Sequence, residues 1–327
     1  MIRKRPGDFL RAAFFRFWAV VTVGLPKILG ESAIMDSKQS WTQYWKSGKL
    51  HSCFVAGQPF ATNYIWKPFF DGLPRGSRLI DLACGAGALT RLAVGAGRGF
   101  AVTGVDYATE LPSIPGANMR PDTALESLPF AESSFDVVMS QFGLEYADRH
   151  FALKEAMRVM AAGGQFAILA HADTSAAVEA ARVRLDNVSG LLSADGPVAL
   201  AIEFGLRRET GTAEAQSLRA IAQSFRREAG RPRDETLQWA LGFLSELMRK
   251  QAQFPPAYLY ENGRVLLGEL ESYAARLSLM VDAALSEADL DDLAAQLGRL
   301  GAVPGRHRLV DDSQGQPVGW WFSATKT

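Results

Sequence analysis

The sequence predicts a doubly wound α/β domain with a parallel sheet in the central part of the chain. Apolar, strand-like segments near residues 78–83, 101–106, 135–140 and 165–170 are separated by helical or loop segments. Alternation of this kind favours a parallel sheet whose strands are joined by right-handed crossovers. The carboxyl ends of such strands meet at one edge of the sheet, where ligands of open α/β sheets bind.

A glycine-rich turn follows the first of these strands. The segment Arg78–Thr90 reads RLIDLACGAGALT, so the strand reaches Asp81, bends at Gly85 and Gly87, and continues into a helix. Glycines let a backbone pass close to a ligand, and the first N–H groups of a helix lack intrahelical partners. Asp106 ends the second strand, where an acid can accept hydrogen bonds from a ribose. Together these residues predict a nucleotide-cofactor site.

The turn also indicates which cofactor it binds. A dinucleotide fingerprint needs a third glycine at position 90, where this chain has Thr90. Asp81 lies four residues before Gly85; its carboxylate would repel a pyrophosphate but suit the ammonium of a methionyl group. The sequence therefore argues against NAD.

At this point the sequence resembles the class I S-adenosylmethionine-dependent methyltransferases, especially the ubiquinone/menaquinone-biosynthesis group. The resemblance covers roughly residues 75–171 and resumes near residue 306. It implies a Rossmann-like sheet, S-adenosyl-L-methionine as cofactor, and methyl transfer to O, N or C of a small molecule. The further segments that carry it, in order, are Thr103–Tyr107, Glu126–Phe130, Ser134–Gly143 and Arg158–Phe166.

The resemblance assigns cofactor contacts residue by residue. It places Asp81 near the methionyl amino group, with the backbone of Ala83 and Gly85 lining the same end. It gives the ribose hydroxyls to Asp106 and sets Tyr107 against the adenine.

Gln141, at the end of the strand near 135–140, faces the methionine portion in similar enzymes. The sequence departs from the family at the position that usually reads the adenine amino group, because Ala124 has no side-chain acceptor. Asp122 is a substitute if the loop is two residues longer, and the backbone N–H of Leu125 is available to the ring.

Three residues are candidates for catalysis. His171, just beyond the strand near 165–170, suits proton removal from an acceptor because imidazole titrates near neutrality. A structural histidine is an equal alternative. Glu145 and Tyr146 follow the strand near 135–140, where they are placed to orient or deprotonate a substrate. The alternative is that both lie on an exposed helix start. His51 is a weaker candidate.

Composition narrows the class of protein. The chain has 327 residues, a formal net charge of +0 and 48% hydrophobic residues, which describes a globular protein without the basic excess of a nucleic-acid binder. Two cysteines build neither a disulfide framework nor a zinc site, so no metal is expected. The sequence leaves the oligomeric state open.

The first 34 residues carry a basic, apolar segment that Pro26 closes. It is shorter than the roughly 20 residues of a membrane span and lacks a clear signal-cleavage site. We favour a translation start at Met35 over an interfacial membrane anchor, and we expect a cytoplasmic protein, since export would separate it from its cofactor.

The rest of the chain divides around the core at 73–173. Residues 35–72 are rich in aromatics and predict a helical cap that packs on the core or covers the cofactor. Residues 174–302 are mostly helical by pattern, with helices over 236–252 and from Ser286 to Gly298 or Gly301. They form an insertion expected to act as a substrate lid; its aromatics suit an apolar or aromatic acceptor. Residues 303–327 predict an antiparallel hairpin that completes the sheet.

Two other functions remain open. A protein that binds S-adenosylmethionine or its homocysteine product without turnover, as a regulator or scaffold, fits the departure at Ala124. A nucleotide-dependent oxidoreductase is a further alternative, and it predicts binding of NAD instead.

Overall fold

The computed structural model describes residues 37–46, 62–207, 211–312 and 315–327. Helices and strands alternate in the core, as predicted. The chain between the fifth and sixth strands is mostly helical. The helices are α1 Ser37–Lys46, α2 Asn63–Gly72, α3 Ala88–Gly95, α4 Arg149–Val159, α5 Ala176–Leu192, α6 Pro197–Arg207, α7 Gly211–Ala229, α8 Glu235–Lys250, α9 Pro256–Ala283 and α10 Glu287–Arg299. The strands are β1 Arg78–Leu82, β2 Ala101–Val105, β3 Ala117–Arg120, β4 Phe135–Gln141, β5 Met160–Ala170, β6 Ala302–Pro304, β7 Arg308–Asp311 and β8 Pro317–Lys326.

The strands of the described residues form one sheet of eight, in the order β3-β2-β1-β4-β5-β8-β6, with β7 paired to β8. Strands β1 to β5 are parallel to one another, whereas β8 is antiparallel to β5, β6 and β7. The predicted doubly wound sheet and the antiparallel hairpin at its C-terminal end are confirmed. Because the order reverses between β1 and β4, the ends of β1 and β4 flank the edge where ligands of such sheets bind.

The central strands read as continuous apolar runs because helices or loops cover both faces of a parallel sheet. Leu82, Val138, Phe166 and Phe322 are all fully buried and belong to one hydrophobic cluster, to which α4 and α10 add their leucines. By contrast, β3 alternates partly buried and exposed residues at the edge of the sheet. That polar pattern explains why the sequence alone did not place this strand.

Adjacent glycines such as Gly163 and Gly164 favour a helix end, so the sequence predicts that they stop the helix beginning near Asp148; this prediction is wrong. Helix α4 ends at Val159, and strand β5 starts directly at Met160. The two glycines lie inside β5, where the register with β4 shifts. Gly163 has φ +72° there, so the pair supports a bulge rather than a helix end.

The helix predicted from Ser286 is capped as the sequence indicates. The Ser286 side chain accepts the N–H of Asp289, and the Asp289 carboxylate accepts the N–H of Ser286, which is a capping box. The helix runs through Gly298 to Arg299. Gly301, with φ +82°, follows it, so the later of the two predicted glycines marks the end.

The chain divides into two compact units. One contains the described parts of Met35–Glu179 together with Asp282–Thr327, and it holds the whole sheet. The other is helical and includes Ala180–Val281, which lies within the insertion predicted over 174–302.

Within the helical unit, α6 and α9 approach each other at two glycines. A Cβ atom at Gly205 would lie 2.9 Å from the backbone nitrogen of Tyr260, and one at Gly263 would lie 2.7 Å from a side-chain carbon of Ile202. Glu228 is fully buried in the same unit between the guanidinium groups of Arg227 and Arg231. The two glycines let α6 and α9 pack closely, and the two ion pairs give the buried Glu228 its partners.

Across the part of the chain that the structure describes, no helix combines the length and the apolar character needed to cross a membrane.

Candidate active site

The glycine-rich turn between β1 and α3 is left-handed at three residues. Ala83, Gly85 and Gly87 have φ values of +54°, +53° and +81°. The N–H of Cys84 donates to the carbonyl of Val105 at 2.9 Å, and this bond ties the turn to the end of β2. The turn therefore brings its backbone to the edge of the sheet where the predicted cofactor site lies.

Asp106 is fixed by the backbone of that turn. Its carboxylate accepts the N–H of Gly85 at 2.8 Å through Oδ2 and the N–H of Ala108 at 2.9 Å through Oδ1. The side chain is buried, and burial raises the pKa of its carboxyl group. Each carboxylate oxygen has a second lone pair. The group is thus oriented and keeps accepting capacity for a ribose diol.

Asp81 is the second buried acid of the site. Burial raises the pKa of its carboxyl group to about 7, and the hydroxyl of Thr90, which donates to Oδ2 at 2.6 Å, opposes the shift. The nearby Asp106 raises this pKa further. A cation would stabilise the ionised form, whereas an anionic phosphate would not. The sequence showed Thr90 only as the residue that stands where a dinucleotide fingerprint has its third glycine. In the structure Thr90 is a hydrogen-bond partner of Asp81.

These residues fit S-adenosylmethionine. A pair of buried acids, one held for a diol and one suited to a cation, matches a ribose and a methionyl ammonium. A Cβ atom at Gly85 would overlap the indole of Trp45, and one at Gly87 would overlap the side chain of Ile114, so both positions require glycine. The same pair of acids does not fit a pyrophosphate.

Gln141 has a partner that the sequence did not assign. Its side-chain oxygen accepts the indole N–H of Trp66 at 2.7 Å. Trp66, on α2, is fully buried and contacts the ring of Trp321 edge-on at 4.9 Å. The bond fixes the orientation of the Gln141 amide at the end of β4. A buried tryptophan needs a hydrogen-bond acceptor for its N–H, which is the signal that could have suggested the pairing.

The predicted catalytic residues His171 and Glu145 lie in direct contact. His171 Nδ1 is 2.6 Å from Glu145 Oε1, and the backbone N–H of His171 donates to the same oxygen at 2.9 Å. Both side chains are buried, at 0% and 1% exposure. A carboxylate at Nδ1 favours the tautomer that carries its hydrogen on that nitrogen.

Aromatic rings surround this imidazole. The ring of Phe142 lies 4.6 Å from that of His171, and the ring of Tyr146 meets it edge-on at 5.8 Å. Tyr146 in turn contacts Trp41 of α1 edge-on at 5.5 Å. Tyr146 belongs to a single 3₁₀ turn, Leu144–Tyr146, directly after β4. The structure thus brings all three predicted catalytic residues together.

Phe142 is a strained residue that the sequence did not single out. It has φ +52°, a left-handed conformation that is unusual for a bulky side chain. Its N–H donates to the carbonyl of Leu169 at 2.7 Å. Gly319 leaves room for the ring, since a Cβ atom there would lie 3.1 Å from Phe142 Cε1. Backbone strain at this position is compatible with a functional constraint.

Ala83 and Gly143 form a complementary pair across the turn. A Cβ atom at Gly143 would lie 2.5 Å from the Ala83 methyl group, closer than real Cβ contacts allow. The methyl group of Ala83 is therefore accommodated by the glycine opposite.

We expect Gly143→Ala to destabilise the protein by about 2 kcal/mol, because overpacking of a filled site typically costs about 1–3 kcal/mol. The double variant Ala83→Gly/Gly143→Ala should recover part of that loss, since it removes the closest overlap. Denaturant unfolding of wild type, both single variants and the double variant measures the coupling between the two positions. Additive losses would show that the two positions do not compensate each other.

The predicted adenine contacts are less defined. Tyr107 is 42% exposed and lies beneath the ammonium of Lys38, 4.7 Å from its ring centroid. Asp122 forms an ion pair with the same lysine. Leu125 is buried, and Ala124 is partly exposed beside it. The roles of Tyr107 and Leu125 toward an adenine stay predictions.

The two other histidines that the structure describes, His150 and His307, do not join this site. His51 lies outside the described residues. His150 is exposed on α4 beside Gln296, and His307 lies within 3.6 Å of Glu287 and edge-on to a tryptophan.

Parts of the chain are similar to known proteins. Residues 80–168 match a family described as methyltransferase domain. The chain is 35% identical to 2-phytyl-1,4-naphtoquinone methyltransferase of Thermosynechococcus vestitus over 36% of its own length and 58% of that protein. It is 32% identical to a ubiquinone/menaquinone biosynthesis C-methyltransferase of Geotalea uraniireducens, over 29% of its length and 45% of that protein. An S-adenosylmethionine-dependent methyltransferase of Mesorhizobium loti matches 81% of the chain and 98% of its own length, at 16% identity and a TM-score of 0.40.

Residues 80–168 of the α/β core thus match a methyltransferase domain. The matched part of the chain is similar to the ubiquinone/menaquinone-biosynthesis methyltransferases. The chain spans about half the length of these curated relatives, at 58% and 45%.

Proposed function

We propose that this protein transfers the methyl group of S-adenosylmethionine to a small-molecule acceptor. The observation that carries the proposal is the pair of buried acids at the glycine-rich turn, Asp81 and Asp106, in a domain of this class. Asp106 is held by two backbone N–H groups, and Asp81 has a pKa of about 7 that a neighbouring cation would lower.

Bound S-adenosylmethionine would supply an electrophilic methyl group for in-line displacement. Asp106 would hold the ribose, Asp81 the ammonium, and the backbone of Ala83, Gly85 and Gly87 would line the path between them. The remaining work of the chain is to orient an acceptor and exclude water, because proximity and alignment carry much of the barrier reduction.

His171 would act as general base when the acceptor arrives protonated. The Glu145 carboxylate holds the Nδ1 side of the imidazole and stabilises the imidazolium that forms on proton uptake. Phe142 and Tyr146 fix the ring from two sides. The acceptor class that fits a base within aromatic rings is an aromatic compound with an ionisable hydroxyl group. The quinone names of the relatives support the same class. The role of the helical insertion as substrate lid and a cytoplasmic location stay predictions.

Calorimetric titration with S-adenosylhomocysteine tests the cofactor assignment. We expect binding of S-adenosylhomocysteine and none of NAD, and a loss of affinity of at least about 100-fold in Asp106→Ala, because two charge-assisted hydrogen bonds to the ribose disappear. The carboxylate also orients Gly85, so circular dichroism must show that the variant is folded.

Two outcomes would contradict this proposal in different ways. Binding of NAD in place of S-adenosylhomocysteine would favour an oxidoreductase. Binding of the methyl donor without transfer to hydroxylated naphthalenes, hydroquinones, amines or other acceptors of a broad panel would favour a non-catalytic binding protein. The departure at Ala124 keeps that second function open.

A further inference from the structure

Helix α1 contacts the candidate cofactor site at the end where the adenine is predicted. The Lys38 ammonium pairs with the Asp122 carboxylate and lies over the ring of Tyr107. One turn further along, the hydroxyl oxygen of Thr42 accepts the backbone N–H of Thr109 at 2.9 Å. These contacts attach α1 to the two loops that follow β2 and β3.

The same helix places an indole on the glycine-rich turn. A Cβ atom built at Gly85 would lie 2.5 to 2.8 Å from three ring carbons of Trp45, so the indole rests directly on the face that this glycine keeps free of a side chain. Trp41 stacks on Trp45 with 5.7 Å between ring centroids, and Tyr44 meets it edge-on at 4.9 Å. The indole is therefore held in a defined position.

That position conflicts with a ligand. Gly85 donates its N–H to Asp106, so a ligand whose hydroxyl groups bind Asp106 lies next to the face of Gly85 that carries no side chain. Glycine at such a turn serves the close approach of a ligand to the backbone. Here the Trp45 indole occupies the face of Gly85 that the ligand needs. Indole and ligand exclude each other from this surface.

We propose that α1 is a gate of the cofactor site and that Trp45 closes it when its indole lies on Gly85. The inference rests on the proposed function, because it takes the turn at Gly85 to be the cofactor site. Only the fraction of molecules with α1 displaced is competent to bind, so the affinity is lowered by that fraction.

The contacts that close the gate suit a reversible motion. The Lys38–Asp122 pair is partly exposed, at 24% and 62% of the two side chains, and exposed ion pairs contribute little. Thr42 and Thr109 share neutral hydrogen bonds. Neither contact is covalent: the ion pair is partly exposed, and the bonds of the buried Thr42 join neutral groups. A ligand of ordinary affinity therefore has enough binding free energy to displace the helix.

The decisive experiment compares S-adenosylhomocysteine binding to wild type, Trp45→Ala and the control Trp239→Ala by calorimetry and stopped-flow mixing. Trp239 belongs to the helical unit, where it stacks on Phe243. We expect Trp45→Ala to bind about tenfold more tightly, chiefly through faster association, which corresponds to a closed state populated at about 90% in wild type. Trp239→Ala should match wild type.

A second variant covers the case in which Trp45→Ala does not fold. Thr42→Val keeps the shape of the side chain and the indole but removes the acceptor for the Thr109 N–H, so association should again become faster. Unchanged or weaker binding by both folded variants, with faster dissociation from Trp45→Ala, would overturn the gate and make the indole a wall of the loaded site. The cofactor assignment would survive that result. Failure of folded wild type to bind S-adenosylhomocysteine at all would overturn both.

Discussion

Replacement of His171 by alanine is expected to lower kcat about 100- to 1,000-fold on an acceptor that carries an ionisable hydroxyl group, since a positioned general base typically contributes about 10²- to 10⁴-fold. The affinity for S-adenosylhomocysteine should change less than about twofold, because His171 is expected to act on the acceptor rather than on the cofactor. Steady-state kinetics on a hydroquinone or naphthol, together with calorimetry, measures the two effects separately.

Glu145→Gln refines this prediction. The amide keeps a hydrogen-bonding group beside Nδ1 of His171 but loses the charge that stabilises an imidazolium, so we expect an intermediate loss of about 10- to 100-fold in kcat. His150→Ala is the matched control, since that histidine is exposed on α4 and should leave kcat unchanged. Equal turnover of wild type and a folded His171→Ala protein would assign the histidine a purely structural role.

The second large effect concerns the charge on Asp81. Its carboxyl pKa is about 7 in the folded protein, whereas an unperturbed aspartic acid has a pKa of 3.8. Between these values the folded state binds more protons than the unfolded state, so the free energy of unfolding falls as pH rises from about 4 to about 7 and then levels off. For this group alone the loss between pH 5 and pH 8 is about 2 to 3 kcal/mol.

Asp81→Asn removes this titration and the charge together. Urea unfolding at pH 5 and pH 8 should show that the variant escapes the loss of about 2 to 3 kcal/mol, an order-of-magnitude figure from the same linkage. The difference between the two proteins isolates Asp81, because Asp106, whose pKa burial also raises, is present in both. The variant should bind S-adenosylhomocysteine at least about tenfold more weakly at pH 8, since the methionyl ammonium loses its partner.

The affinity of the wild-type protein for S-adenosylhomocysteine should also depend on pH, in the direction opposite to its stability. Because the ammonium favours the ionised carboxyl group, binding should strengthen between about pH 6 and pH 8 and should release a proton near pH 7. Calorimetry in buffers of different ionisation enthalpy detects that proton. Parallel stability curves for wild type and Asp81→Asn would show that Asp81 does not titrate in this range.

Local sequence patterns were sufficient to establish the architecture of the core and the positions of its acids. Continuous apolar runs located β1, β2 and β4 nearly to the residue, because strands buried on both faces carry a strong composition signal. The glycine-rich turn and Asp106 were predicted from a short motif: glycines directly after one strand and an acid at the end of the next. Few other local structures produce this motif. The edge strand β3 and the position of the glycines inside β5 were not predicted from the sequence. Neither an exposed alternating strand nor a bulge has a comparably strong local sequence pattern.

The pairing of side chains, by contrast, emerged only from the folded protein. The contacts of His171 with Glu145, of Trp66 with Gln141 and of Trp45 with Gly85 join residues that are 26 to 75 positions apart in the first two cases and lie on separate elements in the third. Sequence patterns report burial and local conformation, which depend on near neighbours. Pairings of this kind depend on how strands and helices stack across the edge of the sheet, and that is set by the packing of the whole core.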